Sequence, residues 1–225
     1  MKINSAEIVN LAVSGSNKAT AISDGLKIPD GKLETNTATP IDLSVDCGTE
    51  KTIKLSQVVW DDLRAPATSI NPAGLPAPPT FNTTKIGWGF SASATNVVAV
   101  ILQLPHTYKE GTNIIPHVHW FPQNTNTGNV LWRLSYKWTN INSVDSGSFT
   151  AIDVLSAGAG VVDTHQIAVF PTISGTGKTI SSIFTCTLSR IGGDGTDTHT
   201  GVALLREFDI HFQIDTIGSR QAVIK

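Results

Sequence analysis

Apolar and polar residues alternate over most of the chain after residue 85, which is the pattern of β-strands with one buried face. Between residues 130 and 138, one face carries Trp132, Leu134, Tyr136 and Trp138. Between residues 203 and 215, the apolar face carries Phe208, Ile210, Phe212 and Ile214. Apolar residues do not recur with the 3.6-residue period of a helix in these stretches, so both are predicted to be strands.

Further strands are predicted at Lys85–Ser91, Asn96–Leu104, around residues 115–121, Ser148–Leu155, Thr164–Phe170 and Lys178–Arg190. Because Asn96–Leu104 is almost wholly apolar, we expect both of its faces to be buried. The turn sequence Asn124–Asn129 predicts a hairpin between the strands on either side of it. Eight or more strands without a helix predict an all-β fold, an antiparallel β-sandwich of jelly-roll type.

The N-terminal quarter of the chain lacks this regular alternation. Residues 1–57 are rich in Ser, Thr, Asn and Gly, and we interpret them as an extended arm that packs on the main domain or on other subunits. Residues 58–84 contain five prolines between Pro66 and Pro79, which predicts a connecting segment. Residues 85–225 are then the β-sandwich domain.

Composition narrows the range of partners. Only 15% of the 225 residues are charged and the net charge is −2, so phosphate-based binding of nucleic acid is not expected. No apolar run is long enough for a membrane helix or resembles a signal peptide, so we expect synthesis in a reducing cytoplasm without export. The two cysteines, Cys47 and Cys186, are predicted to be free thiols.

The sequence Pro116–Trp120 contains the candidate metal ligands. His117 and His119 are two residues apart and therefore share one face of a strand, where their imidazoles could chelate a single divalent ion. Together with Gly111, the pair resembles the first motif of the cupins, jelly-roll proteins that hold a divalent metal with two His, a Glu and a later His. Gln123 stands where that motif has Glu, and the later motif is missing.

Two other interpretations of His117 and His119 remain open. In some trimeric phage fibres and spikes, HxH motifs of three chains bind iron on the threefold axis. Alternatively, the two imidazoles are hydrogen-bonded in a metal-free polar groove or subunit interface, which is our default expectation. A third nitrogen from His165, His199 or His211 would require these residues to meet in the fold.

No catalytic constellation emerges from the remaining motifs. Ser174–Thr179 lacks the first glycine of a phosphate-binding loop, since Thr172 stands there, and we interpret it as a turn. Gly192–Gly201 lacks the acidic spacing of a calcium-binding EF-hand and is predicted to be a hairpin loop. We expect Asp61, Asp62 and Arg64 to form an Asp–Arg ion pair. The prediction is therefore a protein without catalytic residues and without a cofactor other than a metal at His117 and His119.

Three segments together resemble a family of structural proteins of tailed bacteriophages. They read WDDLRAP (Trp60–Pro66), LPHTYKEGTNIIPHVHW (Leu104–Trp120) and EFDIHFQIDTIGSRQ (Glu207–Gln221). The resemblance implies a virion protein, made in the host cytoplasm, that serves in capsid decoration, as a head fibre or in the tail. We expect it to act through subunit interfaces as a homotrimer, with other virion proteins as partners. The alternatives are a cupin-like metal-binding enzyme and a carbohydrate-binding or receptor-binding module that contacts a host-surface glycan.

Overall fold

The computed structural model describes residues 20–22, 25–27, 54–72, 77–145, 147–219 and 221–223. The chain divides into two units, Met1–Asp46 and Cys47–Lys225. Within the first unit, strands β1 (Thr20–Ile22) and β2 (Gly25–Lys27) form an antiparallel hairpin. Most of the predicted arm, including Cys47, lies outside the described residues.

Ten strands make up the described part of the second unit. They are β3 (Lys54–Pro66), β4 (Thr80–Asn82), β5 (Gly87–Phe90), β6 (Thr95–Gln103), β7 (Ile115–Pro122), β8 (Asn129–Thr139), β9 (Thr150–Ala157), β10 (Gln166–Val169), β11 (Ile183–Ile191) and β12 (Ala203–Thr216). A short 3-10 turn at Ala67–Ser69 follows β3. No helix in the described residues is long and apolar enough to span a membrane.

The pairing of the last eight strands gives a jelly roll. β5 pairs with β12, β6 with β11, β7 with β10 and β8 with β9, all antiparallel, so the pairs nest like one long folded hairpin. Sheet I has the order β10-β7-β12-β5-β4, and sheet II has the order β6-β11-β8-β9. The predicted antiparallel jelly-roll sandwich is confirmed.

Large apolar side chains fill the space between the two sheets. Trp132 and Leu134 are fully buried, and Trp138 is almost so, as the alternation in β8 predicted. The polar edges of two indoles are satisfied, because Trp120 donates to Ser156 Oγ at 3.0 Å and Trp138 to Ser182 Oγ at 2.8 Å. These bonds pair the N–H groups of Trp120 and Trp138, whereas the buried Nε1 of Trp132 has no partner among the described residues.

Three expectations for strands and loops were wrong. The loop Gly192–Gly201 is not a hairpin loop, because it joins β11 of sheet II to β12 of sheet I. β6 buries one face only, because Val98, Val100 and Leu102 point into the core while Ile101 is 68% exposed. An apolar run on the edge strand of sheet II therefore does not imply burial on both faces. The turn at Asn124–Asn129 does not close a hairpin, since β7 and β8 belong to different sheets and the turn carries the chain between them.

Sheet I extends further towards the N-terminus than the sequence indicated. β3 begins at Lys54, crosses the boundary predicted after residue 57, and pairs with β12 along its length. β4 also joins the sheet. The segment predicted as a connection thus contributes two strands, and the reason it was missed is that Asp61, Asp62 and Arg64 are exposed and mask the alternation.

Cys186 lies in the core on β11, and its thiol is free. Burial raises the pKa of this thiol far above its usual range, which keeps it protonated and unreactive.

A buried Arg–Asp pair ties β11 to its surroundings. Arg190 donates to both carboxylate oxygens of Asp197, at 2.9 and 2.7 Å, and both side chains are fully buried. Its remaining N–H groups donate to the carbonyls of Phe90, His199 and Gly201. All five guanidinium donors are therefore used, and Asp197 is committed to this pair.

Replacing Arg190 by Met should destabilise the protein by about 3–5 kcal/mol, because it leaves Asp197 as an unpaired buried carboxylate. The matched control is Arg133→Met, which removes an equally bidentate but half-exposed pair with Asp153. Breaking that exposed pair should cost at most about 1 kcal/mol. Chemical denaturation of both variants measures the difference, and equal losses would contradict a structural role of the buried pair.

Candidate functional site

The outward face of sheet I carries a cluster of histidines and carboxylates. β12 lies between β7 and β3, and its core-facing residues Phe208, Ile210 and Phe212 alternate with outward-facing polar ones. In the register with β7, Asp209 is opposite His117 and Glu207 is opposite His119. In the register with β3, Asp209 is opposite Arg64 and His211 is opposite Asp62. The pairing of three strands thus gathers residues that are far apart in sequence.

A β-bulge at Arg206 brings this register about. Leu205 pairs with Trp120, and Glu207 pairs with the next residue, His119, so Arg206 is an extra residue in β12. Core-facing positions therefore have odd numbers up to Leu205 and even numbers from Phe208 onwards. The alternation from Phe208 onwards does not reveal this change.

His117, His119 and Asp209 come together at the centre of the cluster. His117 Nε2 lies 2.5 Å from Asp209 Oδ1, and His119 Nε2 lies 3.3 Å from Asp209 Oδ2. One ligand atom from each of the three residues can be chosen so that all lie within 4.8 Å of one another. Although they are on the outward face of the sheet, His117 is only 1% exposed and Asp209 only 3%.

The Nδ1 atoms of both histidines face partners outside this group. His117 Nδ1 lies 3.4 Å from the carbonyl oxygen of Ile115, and His119 Nδ1 lies 2.7 Å from Nε2 of His165. A carbonyl can only accept, so His117 Nδ1 is the donor in the first contact. Both Nε2 atoms are consequently directed towards Asp209.

Asp209 Oδ1 has a single close neighbour that can donate to it. His117 Nε2 lies 2.5 Å away in a buried ion pair, and no other donor among the described residues is directed at this oxygen. A buried carboxylate needs such a partner, because an ionised group without one is energetically costly.

Electrostatic effects on the two histidines differ. Burial lowers the pKa of His117, but contact with the Asp209 carboxylate outweighs it, so the pKa is raised. Burial lowers the pKa of His119, and the neighbouring His117 and His165 add to this effect against the attraction of Asp209. His119 is therefore neutral at pH 7 and has a lone pair available.

A second ring of contacts surrounds the group. His211 Nε2 lies 2.9 Å from Asp62 Oδ1, and the His211 ring lies 4.2 Å from that of His117. Arg64 and Glu207 form a two-bond ion pair. The expected Asp–Arg pair within residues 61–64 is therefore wrong, because the partners of Asp62 and Arg64 are on β12.

An open pocket of about 340 Å³ adjoins the group, and its walls include His119 and Asp209. Phe121 and His165 also line it, with their rings stacked 5.1 Å apart. The guanidinium of Arg206 lies 5.4 Å from the centre of the Phe121 ring. Both His165 and Arg206 thus lie next to the Phe121 ring in this pocket.

Of the three histidines that could add a third nitrogen, two lie next to the His117–His119 pair and one does not. His165 contacts His119, and His211 contacts His117, but His199 packs against Trp120 instead, with ring centres 5.7 Å apart. Gln123, at the position of the cupin Glu, bonds Lys85 and Asp163. Asp209, the carboxylate that does meet the pair, is 90 residues further along the chain from His119, and only the strand register could have revealed it.

The comparisons with known proteins define no family for this chain. No family model matches it, and no curated protein matches it. Among solved structures, a CBM36-1 domain of a multidomain xylanase from the hindgut metagenome of Trinervitermes trinervoides is similar, with a TM-score of 0.37 and 13% identity over 67% of this chain and 96% of that one. TmCBM61 in complex with β-1,4-galactotriose has a TM-score of 0.32 and 9% identity, covering 67% of this chain and 86% of that one.

A third similar structure is dimeric latent PorU from Porphyromonas gingivalis, with a TM-score of 0.33 and 10% identity. The match covers 74% of this chain but only 14% of that one. At these TM-scores the likeness is too weak to support an assignment, and the fold given above rests on strand order alone.

The bulge generates a prediction about deletions in β12. Removing Arg206 leaves Leu205 facing the core and Glu207 facing outward, as a regular strand requires, so the fold should be retained. Removing His211 instead turns Phe212 and Ile214 from the core face to the outward face, unless the preceding half of the strand changes face in their place. Exposing those two side chains should cost roughly 3 kcal/mol more than deleting Arg206. Denaturant unfolding of the two deletion variants provides the test, and similar losses would refute the assigned register.

Proposed function

We propose that this protein is a structural component of a tailed-bacteriophage virion whose working surface is the outward face of sheet I. One observation carries the proposal. Two of the phage-like segments lie in β3 and β12, and the third leads into β7, and β12 lies between β3 and β7 in sheet I. The residues that carry the resemblance therefore contribute to one continuous surface.

Side chains on that surface are suited to contacts with other proteins. Trp60 on β3 is 43% exposed, and Ile167 and Val169 on the edge strand β10 are each nearly half exposed. These apolar groups flank the polar centre formed by His119 and Asp209. Apolar side chains around a polar centre are compatible with a protein interface, and symmetric copies of one chain are the commonest partners in such assemblies. A homotrimer within the particle is the assembly we propose.

Particle composition tests the virion role. Mass spectrometry of gradient-purified particles of the encoding phage should detect the chain at a constant ratio to the major capsid protein. A non-structural protein of the same phage serves as the control and should be lost during purification. Finding the chain only in the unsedimented lysate would refute the proposal.

Light scattering coupled to size exclusion tests the trimer separately. The purified full chain should elute with three times the chain mass over a tenfold range of concentration. A monomer throughout that range would overturn the trimer while leaving the virion role to the particle experiment.

A second candidate function is carbohydrate binding, and a different pocket favours it. This cavity, of about 440 Å³, is lined largely by uncharged polar side chains together with Tyr136 and Lys178. Hydroxyl and amide groups beside an aromatic ring match the hydrogen-bonding and apolar faces of a sugar. The pocket lies away from the histidine cluster, so the two functions are compatible.

Blocking this pocket tests the carbohydrate proposal. Ser148 is an exposed residue of the lining, and Ser148→Trp should abolish any binding seen for the wild type on a glycan array. The control variant, Ser93→Trp, changes an exposed serine elsewhere and should bind as the wild type does. Absence of wild-type binding to the glycans of the phage's host, or equal binding by both variants, would reject this pocket as the site.

A further inference from the structure

We propose that His117, His119 and Asp209 of a single chain bind one divalent transition-metal ion on the outward face of sheet I. This inference does not depend on the virion role, because it rests on the geometry of three side chains alone. It differs from both metal sites considered from the sequence. A cupin-like site would need a ligand in the place of Gln123, and a threefold-axis site would need three chains.

The ligand set defines the class of metal. Two neutral imidazole nitrogens and one carboxylate oxygen suit borderline ions such as Zn²⁺ and Fe²⁺, whereas Ca²⁺ and Mg²⁺ require oxygen ligands throughout. With metal–ligand bonds of about 2.0–2.2 Å, neighbouring ligands in a tetrahedral site are roughly 3.3–3.5 Å apart. The 3.3 Å between His119 Nε2 and Asp209 Oδ2 fits this value. The shorter His117–Asp209 contact has to open by a small side-chain movement.

The surrounding contacts are those that a metal-binding histidine needs. A ligating imidazole usually donates its other N–H to a carbonyl or similar acceptor, which fixes the ring and leaves the second nitrogen free for the metal. His117 Nδ1 has the Ile115 carbonyl for this purpose, and His119 Nδ1 donates to His165 in the tautomer in which His165 Nε2 carries no proton. In that state an ion that displaces the Nε2 proton of His117 is bound by both Nε2 atoms together with Asp209.

Burial supports a built site over chance proximity. Asp209 is only 3% exposed, and among the described residues His117 Nε2 is the one group that faces its Oδ1, so an ion between the two would bind both buried atoms. Glu207, the other nearby carboxylate, is held by Arg64 and does not compete for the ion. His117 is too deeply buried to reach an ion on an axis between three chains, which favours a site within one chain.

Three protein ligands leave at least one coordination position vacant. The adjoining pocket, with His165 and Arg206 in its wall, is the direction from which water or a donor atom of a ligand would reach that position. The metal would therefore be accessible, in contrast to a closed structural site with four protein ligands.

Metal titration of the full chain tests the proposal. Chelator-treated protein should bind one Co²⁺ per chain, with visible absorption bands that Zn²⁺ abolishes by displacement. Removing a residue that only hydrogen-bonds a metal ligand typically lowers metal affinity by roughly 10- to 100-fold. The variant Asp209→Asn changes a ligand itself, so its metal affinity should fall by about 100-fold or more. The matched control, Asp62→Asn, removes the same charge from a carboxylate that contacts His211 and should cost less than about 10-fold.

Several outcomes would overturn the site. Unchanged metal affinity in Asp209→Asn would show that the ion binds elsewhere. Loss of metal binding in Asp62→Asn would show that the ion is bound by His211 and Asp62. One ion per three chains would indicate the axial site instead. If Asp209→Asn fails to fold, His119→Gln decides, because this side chain is 23% exposed and less bound to the core. Zn²⁺ should raise the Tm of the wild type and leave that of His119→Gln unchanged.

Discussion

The pairing of β12 with β7 is the interaction on which both the core and the candidate site depend. It sets Phe208 against Val118 on the inner face and Asp209 against His117 on the outer face. Because side chains alternate across a strand, one register determines both sets of contacts. A shift by one residue would expose the aromatic core and bury the carboxylates at the same time. The burial of Phe208, Ile210 and Phe212 therefore also fixes the position of Asp209, and the hydrophobic effect stabilises the geometry of a polar site.

The two buried aspartates, Asp197 and Asp209, differ in how their carboxylates are paired. Asp197 has a fully paired arginine, and its Oδ2 also accepts the N–H of Leu131 at 3.0 Å. Asp209 has imidazoles for neighbours, and among the described residues only His117 Nε2 faces its Oδ1. The difference is consistent with a structural role for Asp197 and a ligand-binding role for Asp209.

Sequence alone was sufficient for most strands of the sandwich and for two of the three residues of the site. The alternation in β8 and β12 identified the core face correctly, and the two-residue spacing placed His117 and His119 on one side of β7. Asp209 could not be assigned, because its proximity depends on which strands pair and on the bulge at Arg206, neither of which has a local pattern. The same limitation explains β6 and the Asn124–Asn129 turn. Composition does not show that a strand is at an edge, and a turn signal does not show whether the next strand stays in the sheet.

The histidine pair lies on the outside of the sandwich, and not between its sheets. The space between the sheets is filled by Trp120, Trp132 and other apolar side chains. A metal on the outward face would instead link β7 to β12, with a vacant position directed away from the core. Such an ion can strengthen the central strand pair and can accept a donor atom from a partner. Both effects fit a protein that acts through its surface, and neither requires a catalytic residue.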